Sequence, residues 1–408
     1  MKYLFYTTYC SGRSGLSNSI MSIELGVLLA FLTDRVLVLD GNISPIAHVS
    51  YGGKTSRRHL SRTTDLLEIP VPWLSAEQID LEGRGRSMEL TDRSLLESVF
   101  FYPASLALDS DDFRRFAQGR RAAFTYGGEY RDAAVLRLSG GPEIGGGFKM
   151  HNFGFYAPFL YLDAATKQRT HHLLRAMRPQ RHFVDLAERA TAALGAFNAV
   201  HIRRGDFKRT YGRTTLLRRP REALAVLDYN FSRRDRLVIL TDERDDPFFA
   251  EIVQAYPDAV FLDHFILDEL GTEFRDLPHH DSIALAFLCQ LIAARARDFV
   301  GTMTSTFSSL IQRWRGSSGL DERFKFLWNE LPAADAELVR GATAINERVP
   351  MRPDGTMVEE FEGPYSWNRY DPRLNSAWMR EWPESFLPQH ACSLSDVAAP
   401  SDPSRSGP

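Results

Sequence analysis

The feature that most constrains this chain is a repeated alternation. A short run of apolar, β-branched-rich residues is followed by a polar or glycine-bearing turn. A longer stretch with apolar residues at helical spacing then follows. At the amino end, KYLFYTT (2–7) has strand bias and SGRSGLSN reads as a loop. Residues Ser19 to Thr33 place Ile20, Ile23, Val27, Leu28 and Phe31 at helical spacing, and VLVLD (36–40) reads as a buried strand. The pattern returns near residue 180. A helix is expected over 181–195, a strand over Ala199 to Ile202, and a helix in RPREALAVLDYNF with Pro220 near its start. Strands follow at 236–243 and 259–263, with a helix in DPFFAEIVQAY between them. A long helix runs from Ser282 to about Arg295, then a strand at 299–300, another helix, and a last strand in FKFLW (324–328). Such βα alternation predicts parallel sheets covered by helices on both faces, the doubly wound α/β class.

The chain has 408 residues, enough for two domains of ~100–200 residues each. The economical division is 1–175 for an amino-terminal Rossmann-like domain and 176–340 for a second one, facing each other across a cleft. Residues 41–150 hold short elements, among them EIPVPWL and ESVFFYPASLAL, between polar loops. PEIGGGFKM lacks the Lys-Ser/Thr of a phosphate-binding P-loop and reads as a flexible connector. Residues 341–392 carry aromatic clusters without a period and are expected to pack back on the core. Residues 393–408 are low in complexity and are expected to be disordered.

Composition narrows the function classes. At 44% hydrophobic and 25% charged residues the chain is an ordinary globular protein. A net charge of −3 argues against a general nucleic-acid partner. The basic residues divide into 43 Arg and 6 Lys. The skew reads mainly as a GC-rich genome, although the forked guanidinium also suits phosphate. Cys10, Cys289 and Cys392 are odd in number and widely spaced, which fits neither a disulfide framework nor a metal site. The apolar part of the amino terminus is short for a secretory signal. Ile283 to Ala294 is shorter than the ~20 residues that span a bilayer. The expectation is a cytoplasmic protein without a membrane span.

Four clusters can carry chemistry. His201-Ile202-Arg203-Arg204-Gly205-Asp206-Phe207 follows an apolar strand, and ligands of open α/β sheets bind outside the carboxyl ends of the strands. Its arginines suit an anion, Asp206 can hold an Arg fork, and Gly205 lets backbone approach closely. The plain alternative is a solvated surface turn with an internal Arg–Asp pair. Gly301 to Ser308 lies between a strand and a helix, where free N–H groups and hydroxyls of Ser305 and Thr306 form an anion site or simply cap the helix. Gly12 to Asn18 fills the first βα turn without a GxGxxG fingerprint, with Asn18 or a serine as a helix cap in the plain reading. Thr241-Asp242-Glu243 ends a strand with two carboxylates, fit for a base, for hydroxyl ligands or for a helix cap. His279-His280-Asp281 lacks a third spaced ligand and reads as a helix start rather than a metal site.

Three of these clusters, with the strand-end TDE, resemble the GDP-fucose O-fucosyltransferase superfamily, which includes the α-1,6-fucosyltransferases. The family's opening GGLNNQRMSLE…LAKLLNRTLVL stands here as SGLSNSIMSIELGVLLAFLTDRVLVL. Its H-x-R-R-G-D-[FW] is His201 to Phe207, and its DQLICSRADYFVGTPGSTFS stands as Cys289-QLIAARARDFVGTMTSTFS. The resemblance implies a GT-B fold and an inverting transferase that takes L-fucose from GDP-fucose to a peptide or glycan hydroxyl, with no metal cofactor. It implies that Arg203 grips the β-phosphate and that His201 lies near the guanine and ribose. It also implies that Ser305, Thr306 and Phe307 bind the phosphates, and that Asn18 sits beside the sugar and the acceptor. Gly15, Arg204, Gly205, Asp206 and Asp242 complete the expected donor site. Cys289 stands where many family members have a guanine-contacting Asp. That keeps open another nucleotide sugar, or a non-catalytic nucleotide- or glycan-binding relative. The base is open among Asp206, Glu24 and Asp242.

Overall fold

Two five-stranded parallel sheets form the scaffold in this computed structural model. It describes residues 1–7, 15–39, 61–89, 128–138, 169, 172–173, 175–205, 220–243, 247–302, 305–317 and 326–327. The amino-terminal half contributes β1 (Tyr3–Tyr6), β2 (Val36–Leu39), β3 (Leu67–Glu68), β4 (Trp73–Ser75), β5 (Ser87–Glu89) and β6 (Val135–Leu138), with helices α1 (Leu16–Thr33), α2 (Thr63–Leu66) and α3 (Gly128–Asp132). The first sheet runs β4-β2-β1-β6-β5. β7 (Arg178–Pro179) pairs antiparallel with β3, and α4 (Arg181–Leu194) leads into the second half.

There follow β8 (Phe197–Ile202), α5 (Pro220–Asn230), β9 (Arg236–Thr241), α6 (Phe248–Ala255), β10 (Val260–Phe261), α7 (Leu262–Glu269), α8 (Gly271–Arg275), α9 (Ser282–Ala293), β11 (Phe299–Thr302), α10 (Thr306–Ser317) and β12 (Phe326–Leu327). The second sheet runs β10-β9-β8-β11-β12. Counted within its own half, this is the 3-2-1-4-5 order of a Rossmann sheet, with the reversal between β8 and β11. Residues Phe197 to Ile202 are buried throughout, as a central parallel strand covered on both faces requires.

Two helices anchor the interior. α1 begins at Leu16, three residues before the expected Ser19, and its cap is the extended Gly15 with no side-chain bond, not Asn18. It ends on Asp34 in the left-handed region at φ 53°, whose N–H returns to Ala30 and Phe31 carbonyls. A Cβ at Gly26 would lie 3.0 Å from the Tyr6 ring, so the helix rests directly on β1. Its mean hydropathy of 1.6 over 18 residues meets the length and composition of a membrane span, so the expectation of no such stretch, drawn from Ile283–Ala294, overlooked α1. Most of α1 (83%) is buried inside the fold, the environment of a core helix. α9 is buried along its whole length. Asp281 caps it, accepting from Ile283 N at 2.8 Å and Ala284 N at 2.9 Å, as the helix-start reading of His279-His280-Asp281 expects. The same carboxylate accepts from Ser61 Oγ at 2.7 Å, which ties α9 to the first half.

Some expected boundaries move. β8 starts at Phe197 and β11 extends through Thr302. β10 covers only Val260–Phe261, because Leu262 already opens α7. ESVFFYPASLAL, PEIGGGFKM, Cys10, Cys392, Asp206 and residues 341–408 lie outside the described residues.

Candidate functional site

β8 and β11 are adjacent at the point where strand order reverses; β11 ends in Thr302, and β8 ends in Ile202 with Arg203 and Arg204 just beyond it. Thr302 closes β11. Its hydroxyl donates to the His201 carbonyl at 2.7 Å and accepts from Arg203 N at 2.9 Å, so it sets where the chain leaves β8. Ser308, in the first turn of α10, accepts from Thr302 N at 2.9 Å and lies 2.7 Å from His201 Nδ1. Because Thr302 N–H can only donate, the Ser308 hydroxyl hydrogen is available to His201 Nδ1, an arrangement that favours the Nε2–H tautomer. The imidazole also packs on Phe307 with ring centroids 4.7 Å apart. This close seam needs a residue without a side chain: a Cβ at Gly301 would fall 2.7 Å from Ser308 Cβ.

Asp242, just past β9, anchors the loop after β8. Its Oδ1 accepts from Arg204 N at 2.9 Å and Gly205 N at 3.1 Å, and its Oδ2 lies 3.9 Å from Arg203 Nε. A Cβ at Gly205 would stand 2.7 Å from Asp242 Oδ2, so this turn closes only around glycine. Both partners of the Arg203–Asp242 pair are largely shielded, with side chains 12% and 8% exposed. At that depth the attraction is screened less than on the surface.

A small pocket, partly open to solvent, lies at this edge. His201, Arg203, Asp242 and Phe307 line it, with Leu240 and Thr241 of β9. Leu262, Asp263 and Cys289 complete the wall on the β10 side. Cys289 is buried, and burial, helped by the Asp263 carboxylate, pushes its thiol well above the ordinary range. Cys289 is therefore a neutral, largely apolar wall.

The expected site residues mostly converge. His201, Arg203, Gly205, Asp242, Ser305, Thr306 and Phe307 gather at the carboxyl edge of the second sheet. Gly15 and Asn18 sit at the start of α1, which reaches the same region through Gln290. The Gln290 amide donates to Ser17 Oγ at 2.9 Å and to the Phe307 carbonyl at 3.1 Å. Asn18 Oδ1 is buried there without a hydrogen-bond partner among the described residues, an acceptor able to serve a bound hydroxyl.

Two expectations change. Arg204 turns away from the pocket: its guanidinium lies 4.0 Å from the Phe248 ring centroid, because successive residues leaving a strand point to opposite faces. Asp242, a candidate base, already spends its carboxylate on the loop, and Glu24 is buried on α1 and does not line the pocket. Sequence reasoning gave no individual role to Thr302, Ser308, Gln290 or Asp263. Asp263 had a readable signal, because AVFLD ends in an acid just as VILTD does. Among the described residues no three His, Cys, Asp or Glu side chains cluster as a metal site.

No family model matches the chain, and no curated protein does. Solved structures similar to it include the NodZ α-1,6-fucosyltransferase co-crystallized with GDP, at 12% identity, TM-score 0.40, and 79% and 93% coverage of this chain and that one. The fucosyltransferase NodZ from Bradyrhizobium is similar at 12% identity and TM-score 0.41, covering 79% and 94%. POFUT1 in complex with GDP-fucose is similar at 15% identity and TM-score 0.41, covering 81% and 98%.

Proposed function

We propose that the protein is an inverting, metal-independent glycosyltransferase of the GT-B type that moves L-fucose from GDP-fucose to a hydroxyl on a peptide or glycan. The observation that carries the reading is Arg203, held beside Asp242 at the strand-order reversal and lining a pocket next to the amino terminus of α10. Breaking the anomeric bond leaves negative charge on the β-phosphate. A guanidinium and a helix start aimed at one place stabilise that charge without reorganising. Ser305 and Thr306 stand at that helix start. His201, fixed by Ser308 and Phe307, lines the same pocket. Asn18, at the start of α1, has a buried Oδ1 without a partner among the described residues, the acceptor we assign to the sugar or the acceptor hydroxyl.

The test is to incubate the protein with GDP-fucose in the presence of a chelator and an acceptor panel, following GDP release. Release by the wild type that is lost in Arg203→Ala supports the reading; equal turnover by both removes Arg203 from the mechanism. A second reading, a nucleotide binder without catalysis, is favoured by one observation: the Asp242 carboxylate is engaged by loop N–H groups. GDP binding with neither transfer nor hydrolysis would establish it.

A further inference from the structure

We infer that Asp263 selects the nucleobase, taking the two adjacent N–H donors of a guanine edge. The inference rests on the proposed function and deepens it. The layout of the second sheet supports one direction. Reading across the carboxyl edge from β11 to β8, β9 and β10, the polar groups are Ser305 and Thr306, then Arg203, then Asp242, then Asp263. Three strand spacings of roughly 4.8 Å separate β11 from β10, a span an extended nucleoside diphosphate can bridge. With the diphosphate at Arg203 and the start of α10, the base points along the pocket toward the start of α7.

The pocket wall there is mostly apolar: Leu240, Leu262 and the neutral Cys289. Apolar surface accepts any base. Discrimination must come from a polar group, and Asp263 is the carboxylate the wall presents at that end. A carboxylate only accepts hydrogen bonds. Guanine offers the N1–H and the 2-amino group side by side, a match for two parallel charged bonds. Uracil and thymine flank their single ring N–H with carbonyls, and adenine sets a bare ring nitrogen beside its amine, so each brings an acceptor against the carboxylate. Asp263 also lies in the first turn of α7, where an acid favours the helix regardless of ligand. A helix role and a base-reading role differ in whether the base identity matters.

The experiment titrates GDP, inosine diphosphate and UDP into the wild type, Asp263→Asn and Asp263→Ala by calorimetry, with thermal unfolding as a folding control. The wild type binds GDP about tenfold tighter than inosine diphosphate, which lacks only the 2-amino group, and discriminates more strongly still against UDP. In Asp263→Ala the ratio of GDP to inosine diphosphate falls to about two or less while UDP affinity holds, with Asp263→Asn in between. A wild type blind to the 2-amino group, or an alanine variant that keeps the ratio, overturns the role of Asp263 and leaves the proposed function standing. A wild type that binds no nucleoside diphosphate overturns both.

Discussion

The two sheets share their parallel direction, and each carries an arginine at an opposite end. Arg35 precedes β2 at the amino edge of the first sheet, 4% exposed, and its guanidinium donates to the carbonyls of Ala133 and Tyr130 at 2.8 Å and of Tyr3 at 3.2 Å. Arg203 follows β8 at the carboxyl edge of the second sheet, facing one carboxylate across 3.9 Å and lining a pocket. The first arginine is spent on backbone acceptors and serves the fold. The second lines a cavity and serves the site. A skew of 43 Arg to 6 Lys cannot separate the two kinds; their surroundings do.

Substitution should split the pair cleanly. Arg203→Ala is expected to lower kcat on GDP-fucose by about 10²–10³-fold, the cost of removing one donor to a developing anion, with a melting temperature close to wild type. Arg35→Met is expected to do the reverse. It strands several buried carbonyls and lowers unfolding free energy by about 3 kcal/mol in a denaturant titration, while activity per folded molecule stays within twofold. Matching losses of activity and stability in both variants would break the distinction.

Much of this frame was legible before the structure. Buried parallel strands are near-continuous apolar runs, so VLVL, VHI, VILT and FVG mark themselves, and the HIRRGD loop after one of them marks the edge that matters. The start of α1 was not legible. Ser17 looks like a turn residue, yet it is buried on the helix with Ser19 and Ser22, and Ser22 Oγ lies 3.1 Å from the Tyr6 hydroxyl. The partners of His201 were hidden for another reason. Ser308 is 107 positions away in the chain, and only the crossover from β8 to β11 brings the two together. Asp263 escaped because its strand ends two residues earlier than the apolar run suggests, which moves the acid into a helix start.

Smaller effects sharpen the contrast within the second sheet. Gly205→Ala places a methyl against Asp242 Oδ2, where only 2.7 Å is available. The loop must then shift and carry Arg203 with it, for an expected drop of about tenfold in kcat/KM on the geometric sensitivity of positioned groups. Ser308→Ala frees the His201 ring and the Thr302 N–H. Its expected effect is a rise of a few-fold in KM for the donor, with kcat little changed.

The smallest effect concerns the junction of the halves. His182 on α4 is held below its ordinary 6.5 by burial and by His279, and His279 in turn lies 4.0 Å from Asp65 of α2. A depressed folded-state value means the unfolded chain binds the proton more readily. The contribution is therefore present above pH 6.5 and is lost as pH falls through the lowered folded-state value. Thermal unfolding of the wild type should weaken from pH 7.5 to about 5.5. His182→Gln should flatten part of that slope, and an unchanged slope would remove His182 from the account.

We propose the carboxyl end of the second sheet as the working edge of the molecule. A crystal structure with GDP tests it most directly. The diphosphate is expected between Arg203 and the start of α10 at Ser305 and Thr306, with the nucleoside running toward α7. A diphosphate bound at the edge of the first sheet, away from Arg203, would contradict it.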